Sequence, residues 1–320
     1  MIARSCGLPW SGLLLLSASC ASSSCVGDTS PSADGGSLLD SGGAPLDAGG
    51  NHGDAQVGAH DAASGPMEHD AAAQPPSDAG TKPASATASA GCGKSVTAGM
   101  STGSVQVGAN KRTYVVVVPG GYDKSKPGSL FFAYHGSGGN GAQLVGQTQI
   151  EQSALTVFPD GLNGQWTDAD MNGTDALMFD AVLKVMNESY CFDTKRVFTA
   201  GFSWGGWMAS SIACWRGGTV RGFASIEGGT QANPKDCKAP VAAWINHFDM
   251  DPAEPLPSGE HTRDMFLTIN GASNPSAYDA PNPCTKYTGK APVVFCKPSG
   301  GYHAWPGYAT PSLFKLFDSL

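Results

Sequence analysis

The sequence predicts an α/β fold, a mostly parallel central sheet with helices on both faces. Three observations carry that prediction. Short apolar runs recur from residue 112 onward, each closed by turn residues. Stretches with apolar residues three and four apart lie between them. The two kinds alternate, and short buried strands alternating with helices build a parallel sheet covered on both sides. Such sheets carry their sites at the carboxyl ends of the strands, so polar residues there are the ones to follow.

Taken in order, the first strand is read over 112–119 (RTYVVVVP), which is β-branched and aromatic. The second, 130–135 (LFFAYH), is a continuous apolar run that ends in glycines. Further strands are read over 156–158, 197–201, 222–227, 241–246 and 293–296. Helices are read over 142–154, 176–190, 204–215 and 261–268. The terminal segment from Pro311 (PSLFKLFDSL) opens a last helix with proline in its first turn.

The 320 residues divide unevenly. Among the aromatic residues only Trp10 lies before Tyr114, and residues 1–92 hold Arg4 and Lys82 against nine acidic side chains. Residues 93–320 hold 17 basic against 18 acidic side chains. A stretch of about a hundred residues without one Phe, Tyr or Trp cannot bury enough apolar surface to offset its ordering entropy. Three segments are therefore expected: 1–20 an export signal, 21–90 a disordered linker rich in Ala, Asp, Gly, Ser and Pro, and 91–320 the folded domain. Residues 1–20 run from Arg4 through an apolar stretch to small residues ending at Cys20. Two endings compete there. Ser17-Ala18-Ser19-Cys20 resembles a bacterial lipoprotein site that would acylate Cys20 and anchor the chain at the envelope, although Ser17 stands where leucine is preferred. Ordinary cleavage would release the protein instead. No run of 18 apolar residues occurs, so no membrane span is expected beyond such an anchor. A near-neutral domain behind an acidic leader excludes nucleic acid as the main partner.

Cysteine usage agrees with export. Cys92, Cys191, Cys214, Cys237, Cys284 and Cys296 fall in the domain, an even count at wide spacing that reads as three disulfides. Cys284–Cys296 suits two neighbouring strands joined by the turn at Thr288-Gly289-Lys290. Cys92–Cys191 and Cys214–Cys237 follow by elimination. No C-x-x-C or paired Cys/His spacing calls for zinc, and no cofactor is expected.

Chemistry is concentrated in four places. Gly201-Phe202-Ser203-Trp204-Gly205-Gly206 follows an apolar run and opens a helical one, the context of a G-x-S-x-G nucleophile elbow. Ser203 is the expected nucleophile, and side chains at Gly201 or Gly205 would collide with neighbouring backbone. A serine hydroxyl needs a histidine to take its proton and an acid to orient that histidine. In this architecture acid and base follow the serine in that order. His303, in the loop Gly300-Gly301-Tyr302-His303-Ala304-Trp305-Pro306-Gly307, is the expected base. Asp251 and Asp249 both qualify as the acid behind the strand 241–246. His247, Asp249 and Asp251 also sit at alternate positions, as metal ligands would, but no second ligand group accompanies them. The loop Tyr134-His135-Gly136-Ser137-Gly138-Gly139-Asn140 ends an early strand and can supply an oxyanion-hole N–H from Ser137, with Trp204 supplying the other. Trp166, Phe248 and Trp305 are candidate substrate-binding aromatics.

These pieces, with Gly91-Cys92-Gly93-Lys94, Phe158-Pro159-Asp160-Gly161, Gly164-Gln165-Trp166, Asp175 and Cys191-Phe192-Asp193, resemble the secreted feruloyl esterases of carbohydrate esterase family 1 and the related polyhydroxybutyrate depolymerase-like esterases. The resemblance spans residues 91 to about 310. It implies an α/β-hydrolase fold with Ser203 as nucleophile, His303 as base and Asp251 as acid. The family writes its acid as H-G-x-x-D; His247 and Asp251 keep the ends of that pattern, while Phe248 replaces the glycine and leaves Asp249 open. An exported serine esterase acting on feruloyl or acetyl esters of plant cell-wall polysaccharide is the expected function. A polyhydroxyalkanoate depolymerase is the alternative, and a non-catalytic envelope binding protein the third reading.

Overall fold

The computed structural model describes residues 87–167 and 170–320. The signal segment 1–20 with Cys20, and the linker up to residue 86, lie outside the described residues.

The strands are β1 (Gly99–Val107), β2 (Asn110–Val118), β3 (Gly128–Tyr134), β4 (Leu155–Pro159), β5 (Phe192–Phe202), β6 (Val220–Ile226), β7 (Ala242–Asn246), β8 (Ser273–Tyr278), β9 (Cys284–Thr288) and β10 (Val293–Cys296). The helices are α1 (Gly141–Leu144), α2 (Thr174–Ser189), α3 (Trp204–Trp215), α4 (Leu256–Asn270) and α5 (Ala309–Phe317). Among the described residues all ten strands form one sheet in the order β1-β2-β4-β3-β5-β6-β7-β10-β9-β8. Its centre, from β4 to β10, is parallel. The pairs at the two edges are antiparallel.

Side chains alternate across this sheet. Leu130, Phe132 and Tyr134 of β3 join the core that α2, α3 and α4 cover, whereas Phe131 points to the opposite face, packed with Leu313, Leu316 and Phe317 of α5. Trp244 faces α5 in the same way, between Ala243 and Ile245 on the first face. Strands buried on both faces have no polar side to show, which is why they appear in the sequence as continuous apolar runs.

Three sequence expectations are revised, and two strands are added. Residues 142–154 are not one helix: α1 stops at Leu144 and a separate 3-10 turn covers Ile150–Gln152, because Gly146 (φ 84°) and Gln149 (φ 57°) turn the chain through the left-handed region between them. The helix read over 261–268 begins earlier, at Leu256, and closes on Gly271 in the left-handed conformation. Strands β1 (GMSTGSVQV) and β8 (SNPSAY) lie at the sheet's edges, largely exposed, and so carry no apolar run. The linker expected over 21–90 ends before residue 90: Ala88 bridges to Asp193, Thr194 N–H donates to Thr87 O, and Ser89 is buried under Tyr190 and Phe192.

Disulfides join Cys92 to Cys191, Cys214 to Cys237 and Cys284 to Cys296. The last staples β9 to β10, where the two cysteines are cross-strand neighbours. Among the described residues no helix is long and apolar enough to cross a membrane.

Candidate active site

The site is assembled at the carboxyl ends of β3, β5, β6, β7 and β10. Ser203 follows the end of β5 and caps α3 with φ 56° and ψ −125°, a strained conformation for a residue with a side chain. Two bonds hold the turn: Ser203 N–H donates to Ile226 O (2.9 Å) and Gly206 N–H to Ser203 O (2.8 Å). Glycine is required on both sides. A Cβ on Gly201 would fall on the Gly205 carbonyl, and one on Gly205 on the carbonyl of Tyr134. The serine is thus held on a half-buried corner over tightly stacked backbone.

His303 lies in the loop after β10 with its ring against Phe202, centroids 4.7 Å apart. Its Nδ1 donates to Asp251 Oδ2 at 2.7 Å, and the Asp251 side chain is fully buried. Asp251 Oδ1 accepts the N–H groups of Ala253 (2.7 Å) and Glu254 (3.0 Å). Burial alone would raise the pKa of Asp251; the bonds from His303, from these two amides and from Glu227 outweigh it and hold the carboxyl below its ordinary range. Asp249 is spent elsewhere, accepting Gly300 N–H (2.9 Å) and the Ser299 hydroxyl (3.1 Å). Ser203 Oγ makes no hydrogen bond to the His303 ring; apo sites often leave this contact to tighten on substrate binding.

The glycine loop after β3 runs directly beside the serine: a Cβ on Gly136 would lie 3.3 Å from Ser203 Cβ. Its next residue, Ser137, is exposed with its hydroxyl bonded to Gln165 (3.0 Å). Trp204 N–H is the first of α3 and has no intrahelical acceptor. His135 braces the loop from below, donating from Nδ1 to Gly136 O (2.7 Å) and accepting Gly161 N–H on Nε2 (3.0 Å). Burial lowers its pKa, so the ring is neutral in this role.

Of the three candidate substrate aromatics, Trp166 is displaced from that role. It is 2% exposed, stacks on His135 with centroids 4.7 Å apart, and donates from Nε1 to His135 O (2.8 Å). Trp204 Nε1 in turn donates to Trp166 O (2.8 Å). Trp166 therefore supports the glycine loop from within the core. Phe248 and Trp305 stand at the site. Phe248 meets Tyr302 edge-on (5.5 Å), and Trp305 helps line a cavity of about 300 Å³ with Leu144, Gln147, Phe202, His303 and Ala304.

The sequence reading missed Glu227, which ends the apolar run of β6 at the same sheet edge. It is fully buried with φ 50° and accepts from Asn246 Nδ2 (2.6 Å) and Phe248 N–H (2.9 Å). Glu227, His247 and Asp251 present oxygen and nitrogen atoms within 4.8 Å of one another. The carboxylates are committed to protein partners as above and His247 Nε2 meets Glu254 O (2.8 Å), while His247 Nδ1 is buried with no hydrogen-bond partner.

No protein-family profile matches the chain. Individual proteins do. The chain is 33% identical to feruloyl esterase C of Emericella nidulans over 234 residues, 68% of this chain and 84% of that protein. It is 33% identical to feruloyl esterase D of Neurospora crassa over 205 residues, 59% of this chain and 70% of that one. Among solved structures, an acetyl xylan esterase from Aspergillus awamori superposes with a TM-score of 0.55 at 16% identity, covering 69% of this chain and all of that one. A ferulic acid esterase of carbohydrate esterase family 1 from Anaeromyces mucronatus does so with 0.51 at 15% identity, over 70% and 90%. At such identities the structural likeness is one of fold, the α/β-hydrolase fold.

Proposed function

The chain belongs to the feruloyl esterases and is a carboxylic ester hydrolase, and from that premise we propose that it cleaves feruloyl or acetyl esters of plant cell-wall polysaccharide through Ser203, His303 and Asp251. The observation that carries the assignment is the 2.7 Å contact of buried Asp251 with His303 Nδ1 beside the Ser203 elbow. Asp251 fixes the tautomer that leaves Nε2 free to take the serine proton. Ser203 Oγ attacks the ester carbonyl, and the N–H groups of Ser137 and Trp204 receive the charge that develops on its oxygen. His303 returns the proton to the departing alcohol. Water, activated by the same ring, then releases the acid from the acyl-enzyme.

The aromatic cavity beside His303 suits a planar acyl group, with Phe202 and Trp305 in its wall; Phe248, paired with Tyr302, is a further candidate contact outside that lining. Three disulfides fit a protein working outside the reducing cytoplasm. Residues 1–20 serve as the export signal in this reading, with release or acylation at Cys20 as its two endings. The linker behind them serves as a tether that carries no part of the chemistry. Trimming it by limited proteolysis is expected to leave an active core.

The deciding experiment compares turnover of methyl ferulate, p-nitrophenyl acetate and a polyhydroxybutyrate suspension by the wild type and by Ser203→Ala. Methyl ferulate turnover that disappears in S203A supports the reading. Preference for the polyester would replace it with a depolymerase, and failure on all three esters would leave only a binding role.

A further inference from the structure

Behind the acid–base pair lies a second carboxyl group that the reaction itself does not require. Glu227 sits at the end of β6 with no exposed surface, and a carboxyl oxygen of its side chain lies within 4.8 Å of one of Asp251. Two carboxyl groups this close in a buried site disfavour a double negative charge, so one of them holds its proton more tightly. The surroundings decide which one. Asp251 faces His303 and two backbone N–H groups, which favour its ionised form. Glu227 faces Asp251 itself, with His247 from the same segment within 4.8 Å and Tyr308 from the approach to α5, whose hydroxyl donates to Asn246 Oδ1. Asn246 passes that orientation on by donating its amide to Glu227. Hydrogen bonds thus run from Tyr308 through Asn246 to Glu227, which faces Asp251, itself bonded to His303.

We propose that Glu227 is a positioning residue of the esterase, kept protonated so that it donates to Asp251 and holds that carboxylate in the one orientation that presents Oδ2 to His303. The role rests on the triad reading above. Its backbone sits in the left-handed region, held by Glu227 N–H donating to Asn246 O (2.9 Å), so the fold maintains a strained residue at this position. Burial, reinforced by Asp251, pushes the Glu227 carboxyl up to about 8 against the opposing bonds from Phe248 and Asn246. Above that pH the donor is lost and a second negative charge stands against Asp251, so the acid is no longer fixed by a hydrogen bond from behind.

The test is the pH profile of kcat for p-nitrophenyl acetate in wild type, Glu227→Gln and Glu227→Ala, with thermal melting of each. The wild type is expected to lose kcat on an alkaline limb near pH 8. E227Q, whose amide offers Asp251 a donor that does not ionise, is expected to lack that limb and to remain well above E227A at pH 7. E227A is expected to fall about 10²-fold in kcat with KM little changed, the size of effect that a small misplacement of a reacting group produces. An E227Q profile that keeps the wild-type limb, or an E227A enzyme with full kcat, overturns the inference. Should E227A fail to fold, the E227Q profile alone decides. Ser203→Ala, measured alongside, separates the two readings. An active S203A sinks the triad itself, whereas an inactive S203A with unaltered Glu227 variants overturns only the role of Glu227.

Discussion

Asp251 and His303 stand 52 residues apart in the chain and 2.7 Å apart in space, and the contact is kept by the residues around Asp249. Asp249 N–H donates to Pro298 O and Met250 N–H to Gly300 O, both at 3.1 Å, while the Asp249 carboxylate takes Gly300 N–H at 2.9 Å. These bonds tie the loop after β7 to the loop after β10 before either side chain reaches the other. The two aspartates that sequence position could not separate therefore have different tasks: one docks the loops and the other meets the ring.

Replacing each tests that division. Asp251→Asn is expected to lower kcat by about 10⁴-fold, because an amide facing Nδ1 stabilises the wrong tautomer of the base. Asp249→Asn retains an oxygen for Gly300 N–H and is expected to cost far less. Initial rates on p-nitrophenyl acetate check both, and a larger loss for D249N would reverse the assignment of the acid.

The elbow, the histidine loop and the central strands were legible because each depends on residues adjacent in sequence. Gly201 is needed by the Gly205 carbonyl four residues on, Gly205 belongs to the same short motif although its Cβ would meet Tyr134 O at the end of β3, and doubly buried strands such as β3 cannot avoid an apolar run. Trp166 was misread because its partner, the carbonyl of His135, lies 31 residues away and leaves no local pattern. Glu227 did carry a signal, a carboxylate closing an apolar strand at the edge where sites form. Its meaning depended on Asn246 and Asp251 converging on it from β7 and the loop beyond. The edge strands β1 and β8 carried no signal, since exposed residues in antiparallel pairs need not be apolar.

The support role of Trp166 makes a prediction that a substrate-binding role does not. Trp166→Phe fills most of the volume but leaves His135 O without its donor, a buried loss of about 1–3 kcal/mol. The variant is expected to melt earlier and to lose kcat through a loosened oxyanion loop, with KM for methyl ferulate nearly unchanged. Steady-state kinetics beside a melting curve would expose a binding role as a rise in KM at normal stability.

Acyl selectivity is expected to follow the cavity beside His303. Ala304 is exposed on its wall, so a larger side chain there narrows the space without overpacking the core. Ala304→Trp is expected to reduce kcat/KM for methyl ferulate on the order of 10–100-fold, the scale at which a pocket discriminates by size. Acetate turnover should change little. Equal losses on both esters would mean that the acyl group sits elsewhere.

Of the three disulfides, Cys92–Cys191 closes the longest loop, 99 residues, and fastens the start of the domain beneath β5. In the chain-entropy description a closure of that size contributes about 4–5 kcal/mol, less any native strain. A Cys92→Ala/Cys191→Ala variant is expected to lose stability on that scale in urea titrations, and more than a variant lacking Cys284 and Cys296, which close only 12 residues. The reverse ranking would show that the short staple between β9 and β10 matters through native-state packing.

Glu227 also sets a pH dependence of stability opposite in sign to that of Asp251. Asp251 has a folded pKa below its ordinary value, so its contribution is present above that ordinary value and is lost as pH falls through the folded one, at the acid end. Glu227 has a folded pKa raised from 4.5 to about 8. Between those values the unfolded chain has released the proton and the folded chain still holds it, so stability declines as pH rises through the window and levels off above about 8. At 1.36 kcal/mol per pH unit the decline is on the order of 4–5 kcal/mol if no other group moves with it. Glu227→Gln removes the titration, so its stability relative to wild type should climb steadily from pH 5 to pH 8 and then hold constant. Urea midpoints of the two proteins at pH 5.5, 7 and 8.5 measure the difference directly. A gap that stays the same at all three would mean that Glu227 does not change its charge across this range, and that the bond it makes to Asp251 is not held by a shared proton.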